Sequence, residues 1–593
     1  MIGSRFRHWS LLRPLRGGQS ARRVDCSPSP VWEVGALIAL ASLGACAAEL
    51  MPIGETQDAV DTSAPAVEQT QAFAAQAEPM LTATSFVAQT GAGAASRATI
   101  GTTYYVRTDG GDAGQCDGRA DKAYPGRGRD HACAWSHPFV ALPPGGKPRI
   151  DGGDTLIIGG GSYMMGQGAP GTDACIGANC HMPPIPSGPS ASQRTRITGK
   201  AGTRPTLWGT EGTRRVLDLD GSSNVEVGHL EITDRSDCVA SHGDPKAACR
   251  GDAPHGQWAR TGIYARGSRN VRLHDLDVHG LAHTGINAGD LRDWTVERVR
   301  INANGRAGWD GNVGKDKSSN AGRIVLRDVE IGWNGCGERW RSGEPWACWA
   351  QKTGGYGDGL GTQYTGGQWL FEDVFVHHNT SDGLDLRYMD GADSTNVTIR
   401  RLYAIANAGN QLKVRGNATV EDSVLVGRCG FFKERRDHMI DGDHCRAGGN
   451  TLQLVLTPSD MVLVRNSTIT GEGGALIGAN EGDESARIRL QNNVLVGSPT
   501  FRKPGVPSAA YYANKAPADV SWADNVVWKV KGIDCPGNSI CDRDPKLTNP
   551  SLSIFDATPR ADSPFADKAG APGRVVRSLQ QKLRSPRPAA GGR

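Results

Sequence analysis

The chain has 593 residues, with 66 basic and 62 acidic side chains, 79 glycines, 14 cysteines and few helix-forming runs. Its first 46 residues carry six of the basic and two of the acidic side chains, which leaves the remainder neutral at 60 of each. A neutral body has no global field for polyanions, so nucleic acid is excluded as a partner and any anionic ligand must be held by local groups.

The chain opens with Arg5, Arg7, Arg13, Arg16, Arg22 and Arg23, followed by an apolar run from Gly35 to Leu43 that is too short to span a bilayer. The run ends in Leu43-Gly44-Ala45-Cys46, which resembles the bacterial lipobox. The resemblance implies a signal over residues 1–46, lipidation of Cys46 and a membrane anchor; a plain cleaved signal is the alternative. Ala47 and Ala48 lack the aspartate of inner-membrane retention, so an outer-membrane lipoprotein or a secreted protein is expected. Residues 47–101 are rich in Ala, Thr and Gln without hydrophobic periodicity and read as a disordered tether.

Past Cys46 twelve cysteines fall into near-neighbour pairs: Cys116/Cys133, Cys175/Cys180, Cys238/Cys249, Cys336/Cys348, Cys429/Cys445 and Cys535/Cys541. An even count in short loops fits an oxidising compartment, and no CxxC knuckle points to zinc. The spacing predicts six local disulfides, each closing an excursion from one repeat.

A residue-glycine dipeptide opens successive segments at Thr261-Gly262, Thr284-Gly285, Asp310-Gly311, Asp358-Gly359 and Asp382-Gly383. A spacing in the low twenties that tolerates insertions is the mark of a solenoid. Between the dipeptides lie pairs of short alternating strands, such as Val225–Val227 with Leu230–Ile232 and Val397–Ile399 with Leu402–Ile405. Asn302, Asn304, Asn334, Asn379 and Asn407 follow the second strand of a pair, where asparagine suits left-handed turns and stacked amide ladders. These features resemble the right-handed parallel β-helix of pectate-lyase-type proteins. The resemblance implies an all-β, single-stranded solenoid with disulfide-pinned loops over residues 102–575, expected to be a monomer, with a disordered basic tail at 576–593.

Aligning the coils on the dipeptide puts Asp310, Asp358 and Asp382 in one column, with Asn287, Val313, Gly361 and Asp385 three positions on. Matching Leu384 to Leu412 stacks Lys413 on Asp385 and Arg415 on Arg387, all facing outward, while Leu360, Leu384, Leu412 and Leu452 face inward. Stacked carboxylates repel unless a cation separates them, and calcium suits aspartate oxygens on flexible turns.

Asp358-Gly359, Ser381-Asp382-Gly383-Leu384-Asp385 and Gly409-Asn410-Gln411-Leu412-Lys413 resemble the calcium-site and catalytic-lysine segments of family 9 polysaccharide lyases. The resemblance implies Asp358, Asp382 and Asp385 as calcium ligands and Lys413 as the base, with Ser381 standing where that family has a further aspartate. The implied activity is β-elimination on an acidic, uronate-containing polysaccharide, with Arg387 and Arg415 binding its carboxylates. Other readings of the same residues stay open. Asp385 and Lys413 can form a plain surface ion pair, and Asp310, Asp358 and Asp382 can be turn caps. His377-His378 reads as turn surface, and Trp340, Trp346 and Trp349 as loop packing or a sugar platform. A non-catalytic polysaccharide-binding or adhesin-like surface protein is the main alternative function, since this fold hosts many. A glycoside hydrolase is the other, although the Asn-Thr-Asp, Asp-Asp and Gly-His-Gly signatures of polygalacturonases are missing, as is the Asp-Pro-His-Asp signature of mannuronan epimerases.

Overall fold

Strand follows strand along this chain, and most pair in parallel with a counterpart one coil away. The computed structural model describes residues 101–565 except 241–246, 250–257, 314–318, 341, 347, 350–356, 390–394, 435–438, 442–444, 515–518 and 533–534. The signal segment with Cys46, the tether as far as residue 100 and the tail 576–593 lie outside the described residues.

Ten parallel strands form one sheet in chain order: Thr213–Asp218, Ala259–Arg266, Thr284–Gly289, Ala307–Asp310, Leu360–Gly361, Leu384–Leu386, Leu412–Arg415, Leu452–Val455, Ala475–Asn480 and Ala509–Asn514. The other strands of each coil build two further columns. One runs through Val225, Val271, Trp294, Ile324, Trp369 and Val397, the other through Ile232, Val278, Ile301, Ile331, Val376 and Ala404. Continuous strands, Arg292–Asn302, Ala321–Gly332 and Gln368–His377, pass through both columns and fuse them into a 23-stranded sheet. The side chains of both columns are buried along the axis, in a core that grows by one layer per coil. This is a right-handed parallel β-helix, the solenoid that the repeat predicts in the form that the resemblance implies.

Two features of the sequence acquire causes here. The bend between the two columns falls on residues in the left-handed region, including Asp275 (φ 53°), Asp328 (53°), Asp373 (56°) and Asp422 (51°), which aspartate tolerates better than most residues. The repeated glycine has a different origin. A Cβ on Gly308 would sit 2.4 Å from the Gly359 carbonyl oxygen, one on Gly359 2.4 Å from that of Gly383, and one on Gly383 2.4 Å from that of Gln411. The glycine recurs because the next coil's backbone passes too close for a side chain, and at none of the three is φ positive.

The same column corrects the coil alignment. Thr284 pairs with Ala307, Asn287 with Asp310, and Asp310 with Gly361. The start of that coil is therefore Ala307-Gly308, and Asp310 belongs three positions later, in the row of Asn287, Gly361 and Asp385. The glycine of Asp310-Gly311 imitated the repeat, and Val313 does not belong to the row at all.

The asparagine expectation holds in part. Asn304, Asn334, Asn379 and Asn407 form a buried ladder with Nδ2-to-Oδ1 distances of 2.9, 2.9 and 2.8 Å, and Asn407 donates to Gln411 Oε1 at 2.8 Å. None of these asparagines has a positive φ, and neither does Asn302, which lies outside the ladder. The left-handed positions are the residues just before each ladder asparagine: Ala303, Trp333, His378 and Ala406.

Five expected disulfides are formed: Cys116–Cys133, Cys175–Cys180, Cys336–Cys348, Cys429–Cys445 and Cys535–Cys541. Cys238 is also disulfide-bonded and stands opposite Cys249 in a two-stranded antiparallel ribbon. After the last coil the chain doubles back as a hairpin, Leu547–Asn549 with Asp556–Pro559. Leu547, Phe555, Ala557 and Phe565 cover the outer apolar row of Phe375, Tyr403 and Val424, and Tyr403 Oη donates to the Phe555 carbonyl at 3.2 Å.

Candidate active site and metal-binding cluster

Alternation along Leu384–Leu386 turns Leu384 and Leu386 into the core and Asp385 away from it, and the next strand repeats the pattern with Leu412, Lys413 and Val414. Leu360, Leu384, Leu412 and Leu452 stack in one fully buried row. Register alone thus sets Lys413 directly beside Asp385.

The aspartates preceding each strand come from the coil starts. Asp358 Oδ1 accepts the Asp382 amide at 2.9 Å, and Asp382 Oδ1 accepts the Asn410 amide at 2.6 Å. Asp385 Oδ1 accepts the Arg387 amide at 3.3 Å. Asp358 and Asp382 do cap backbone, yet the amides they cap belong to the next coil rather than to their own turns. Glycines make room for this: a Cβ on Gly361 would meet Asp358 Oδ2 at 3.0 Å, and one on Gly409 would meet Asp382 Oδ1 at 2.3 Å.

Asp358, Asp382 and Asp385 each offer one carboxylate oxygen, and these three atoms all lie within 4.8 Å of one another. Lys413 Nζ sits 2.7 Å from Asp382 Oδ2 and 3.6 Å from Asp385 Oδ2, and Arg387 Nε lies 3.5 Å from Asp385 Oδ2. Among the contacts just given, two cations, Lys413 and Arg387, face the carboxylates. Burial alone would lower the Lys413 pKa, but Asp382 and then Asp385 outweigh it and hold the ammonium above its usual range.

The cluster is no surface ion pair. Asp358, Asp385 and Lys413 are each 5% exposed and Asp382 is fully buried. Lys413 also pairs chiefly with Asp382, not with the Asp385 it stacks upon. Arg387 remains about a third exposed, whereas Arg415 leans away, with Nη1 3.4 Å from Glu481. Asp310 is outside the cluster; burial raises its pKa, and it accepts the Asn312 amide. Ser381, at the position of the family's further aspartate, is fully buried.

The donor set fits a hard divalent cation. Calcium takes oxygen ligands at about 2.3–2.6 Å, so oxygens sharing one ion lie up to about 5 Å apart. The three carboxylates meet that condition. Sequence reasoning missed Asn410, which is fully buried and whose Oδ1 has no hydrogen bond among the described residues. The signal was available, since the register that pairs Leu384 with Leu412 also pairs Asp382 with Asn410.

His377 is buried rather than on a turn surface: its Nδ1 is 2.9 Å from His378 Nδ1, and its Nε2 is 3.5 Å from Glu330. Trp346 packs against Val239, Trp340 is 42% exposed, and the Trp349 side chain lies outside what the structure describes. A second group, His229, His274 and Asp275, has metal-ligand spacing. Its His274 is already bracketed by Asp275 at 2.7 Å and Glu226 at 3.1 Å, and Asp275 binds Arg298 through both oxygens.

No protein-family model matches this sequence, and no curated protein does. Among solved structures the chain is similar to an alginate lyase from Paenibacillus sp. str. FPU-7, at 12% identity and a TM-score of 0.33 over 63% of this chain and 93% of that one. It is similar to the pectate lyase Pel9A at 12% and 0.37, over 77% and 85%. It is also similar to PfbA, a surface adhesin of Streptococcus pneumoniae, at 9% and 0.35, over 63% and 82%. Likeness this distant carries no functional argument, and the two functions named among these neighbours differ.

Proposed function

We propose that the protein is a calcium-dependent polysaccharide lyase that cleaves an acidic, uronate-containing polysaccharide by β-elimination, with Lys413 as the base. The observation that carries this reading is the Lys413 ammonium held 2.7 Å from Asp382 within a cluster of three carboxylates on adjacent coils. Calcium held by Asp358, Asp382 and Asp385 would supply positive potential that neutralises the uronate carboxylate and acidifies its C5 proton.

Lys413 Nζ in its neutral form takes the C5 proton, the electron pair forms the C4–C5 double bond, and the C4–oxygen bond breaks. The departing oxygen takes up a proton, which the Lys413 ammonium can return. Arg387, partly exposed beside Asp385, binds a carboxylate of the sugar chain. Arg415 is a weaker candidate for that task because Glu481 engages it.

Export accompanies this reading. The local disulfides suit an oxidising compartment, and Cys46 is the proposed lipid anchor to the outer membrane. The test is a screen of acidic polysaccharides for the new absorbance of an unsaturated product, run with calcium and with chelator. Absence of that product from every uronate polymer, with calcium present, would overturn the lyase.

One observation favours the second reading, a non-catalytic polysaccharide-binding surface protein. The carboxylates that bring Lys413 into place also keep it protonated, which a purely structural ion cluster would do equally well. A Lys413→Gln protein that loses no function would support it.

A further inference from the structure

Two tyrosines stand beside the cluster in the same structural row. Gly361 pairs with Asp385 across the ten-stranded sheet, and three residues beyond each strand position come Tyr364 and Tyr388. Their rings approach to 4.9 Å between centroids at 56°, and the Thr365 amide donates to the Tyr388 carbonyl at 3.0 Å, which ties the two loops together. The corresponding residue one coil on, three after Lys413, is Gly416. That coil therefore presents no side chain at this position.

Tyr364 keeps 42% of its surface exposed. Tyr388 is half-covered: the Arg387 guanidinium lies 4.7 Å from its ring centre. The Arg387 side chain is about a third exposed, although its Nε is buried and makes no hydrogen bond among the described residues, and Asp385 Oδ2 lies 3.5 Å from that Nε. An exposed aromatic ring and a partly exposed cation thus both lie within 5 Å of the Tyr388 ring centre.

A uronate residue has the matching chemistry: an apolar C–H face for an aromatic ring and a carboxylate on its edge for a guanidinium. Resting on the lyase reading for the choice of sugar, we propose that Tyr364 is the stacking platform for one uronate ring of the bound chain. Tyr388 is the positioning residue that holds Arg387, by ring contact, where it pairs with that ring's carboxylate. The pair makes the site selective for uronates over neutral sugars of the same ring shape.

The test is calorimetric titration of the full chain carrying Lys413→Gln, which retains a donor for Asp382 and prevents turnover. The probes are hexamers of galacturonate, mannuronate, guluronate and glucuronate, with cellohexaose as the neutral control. At least one uronate hexamer binds, and cellohexaose binds at least tenfold more weakly. Tyr364→Ala weakens the uronate at least tenfold, whereas Tyr364→Phe stays within twofold. Tyr388→Ala weakens the uronate and narrows its margin over cellohexaose, and Tyr388→Phe restores both. Melting curves select variants that fold like the parent, and the phenylalanine variants carry the test if an alanine variant does not fold. The platform is overturned if no uronate hexamer binds, if Tyr364→Ala binds within twofold of the parent, or if the phenylalanine variants bind as poorly as the alanine ones. Tyr364-dependent binding by a wild-type chain that releases no unsaturated product leaves the platform standing and removes only the lyase reading.

Discussion

Lys413 Nζ lies 2.7 Å from Asp382 Oδ2, and neither residue is exposed by more than 5%. This buried contact changes what removal of the lysine means. Lys413→Ala takes the ammonium away from Asp382 and Asp385 in a desolvated place, a change that costs about 3 kcal/mol or more. We expect a clear drop in melting temperature together with a loss of at least a thousandfold in turnover on the competent uronate. Lys413→Arg keeps the charge and restores much of the stability, but a guanidinium does not give up its proton near neutral pH, so turnover stays low. Full activity in Lys413→Arg would remove the lysine from the chemistry.

The metal expectation separates from catalysis when binding is measured directly. Calorimetric titration of chelator-treated protein should show calcium binding, weakened at least tenfold in Asp382→Asn. Asp310→Asn serves as the control, because Asp310 stands in the outer row and not in the cluster. Equal binding by wild type and Asp382→Asn would eliminate the site.

The pH dependence follows from the direction of the lysine's shift. A base must be deprotonated, and Asp382 and Asp385 outweigh burial to raise the Lys413 pKa. The rate should therefore climb with pH through the neutral range toward an alkaline optimum. Added calcium, by satisfying the same carboxylates, should move the rising limb to lower pH. A rate independent of pH between 7 and 10, at saturating substrate with chemistry limiting, would contradict this assignment.

Much of this site was legible in the text because a parallel solenoid turns sequence spacing into vertical distance. Leu384 over Leu412 sufficed to place Asp385 beside Lys413, and the structure pairs both. The misplacement of Asp310 came from reading every residue-glycine pair as the same signal. Gly308 and Gly359 are set by the backbone of the following coil, and the residue after the glycine tells them from Gly311: Ile263, Ile286, Trp309, Leu360 and Leu384 are apolar, whereas Asn312 is not. Burial, by contrast, was illegible. Alternation tells which side chains leave the core, but not that four charged groups from three coils would crowd together outside it. Nor does spacing reveal that the row of Phe375, Tyr403 and Val424 is covered by residues more than a hundred positions later.

The repeat itself is testable away from the site. Gly308→Ala would put a Cβ 2.4 Å from the Gly359 carbonyl oxygen and 2.7 Å from Asn334 Nδ2. Backbone cannot yield as a flexible side chain does, so the substitution should destabilise the fold by about 1–3 kcal/mol. Gly145→Ala, with nothing within 4 Å but a φ of 67°, should cost less. Similar melting temperatures for the two variants would count against close coil contact as the cause of the repeat.

His279 provides a prediction about stability and pH that is independent of the candidate chemistry. Its Nδ1 lies 2.8 Å from Glu338 Oε2 and its Nε2 lies 3.1 Å from Glu231 Oε1, joining the loop closed by Cys336–Cys348 to the sheet. Burial alone would lower its pKa, but Glu338, Asp277 and Glu231 together raise it to about 10. A group whose folded pKa exceeds its unfolded value stabilises fully below the unfolded value, about 6.5 for histidine, and loses that stabilisation as pH rises through the folded one. His279→Gln removes the charge and takes the imidazolium away from Glu338, which is only 4% exposed. The variant should melt well below wild type at pH 6, by an amount reflecting about 3 kcal/mol. The gap should narrow between pH 7 and 10, since over that range the wild type loses a proton that the variant never held. A gap that stays constant across this range would show that His279 acts through packing or neutral hydrogen bonds rather than as a buried imidazolium.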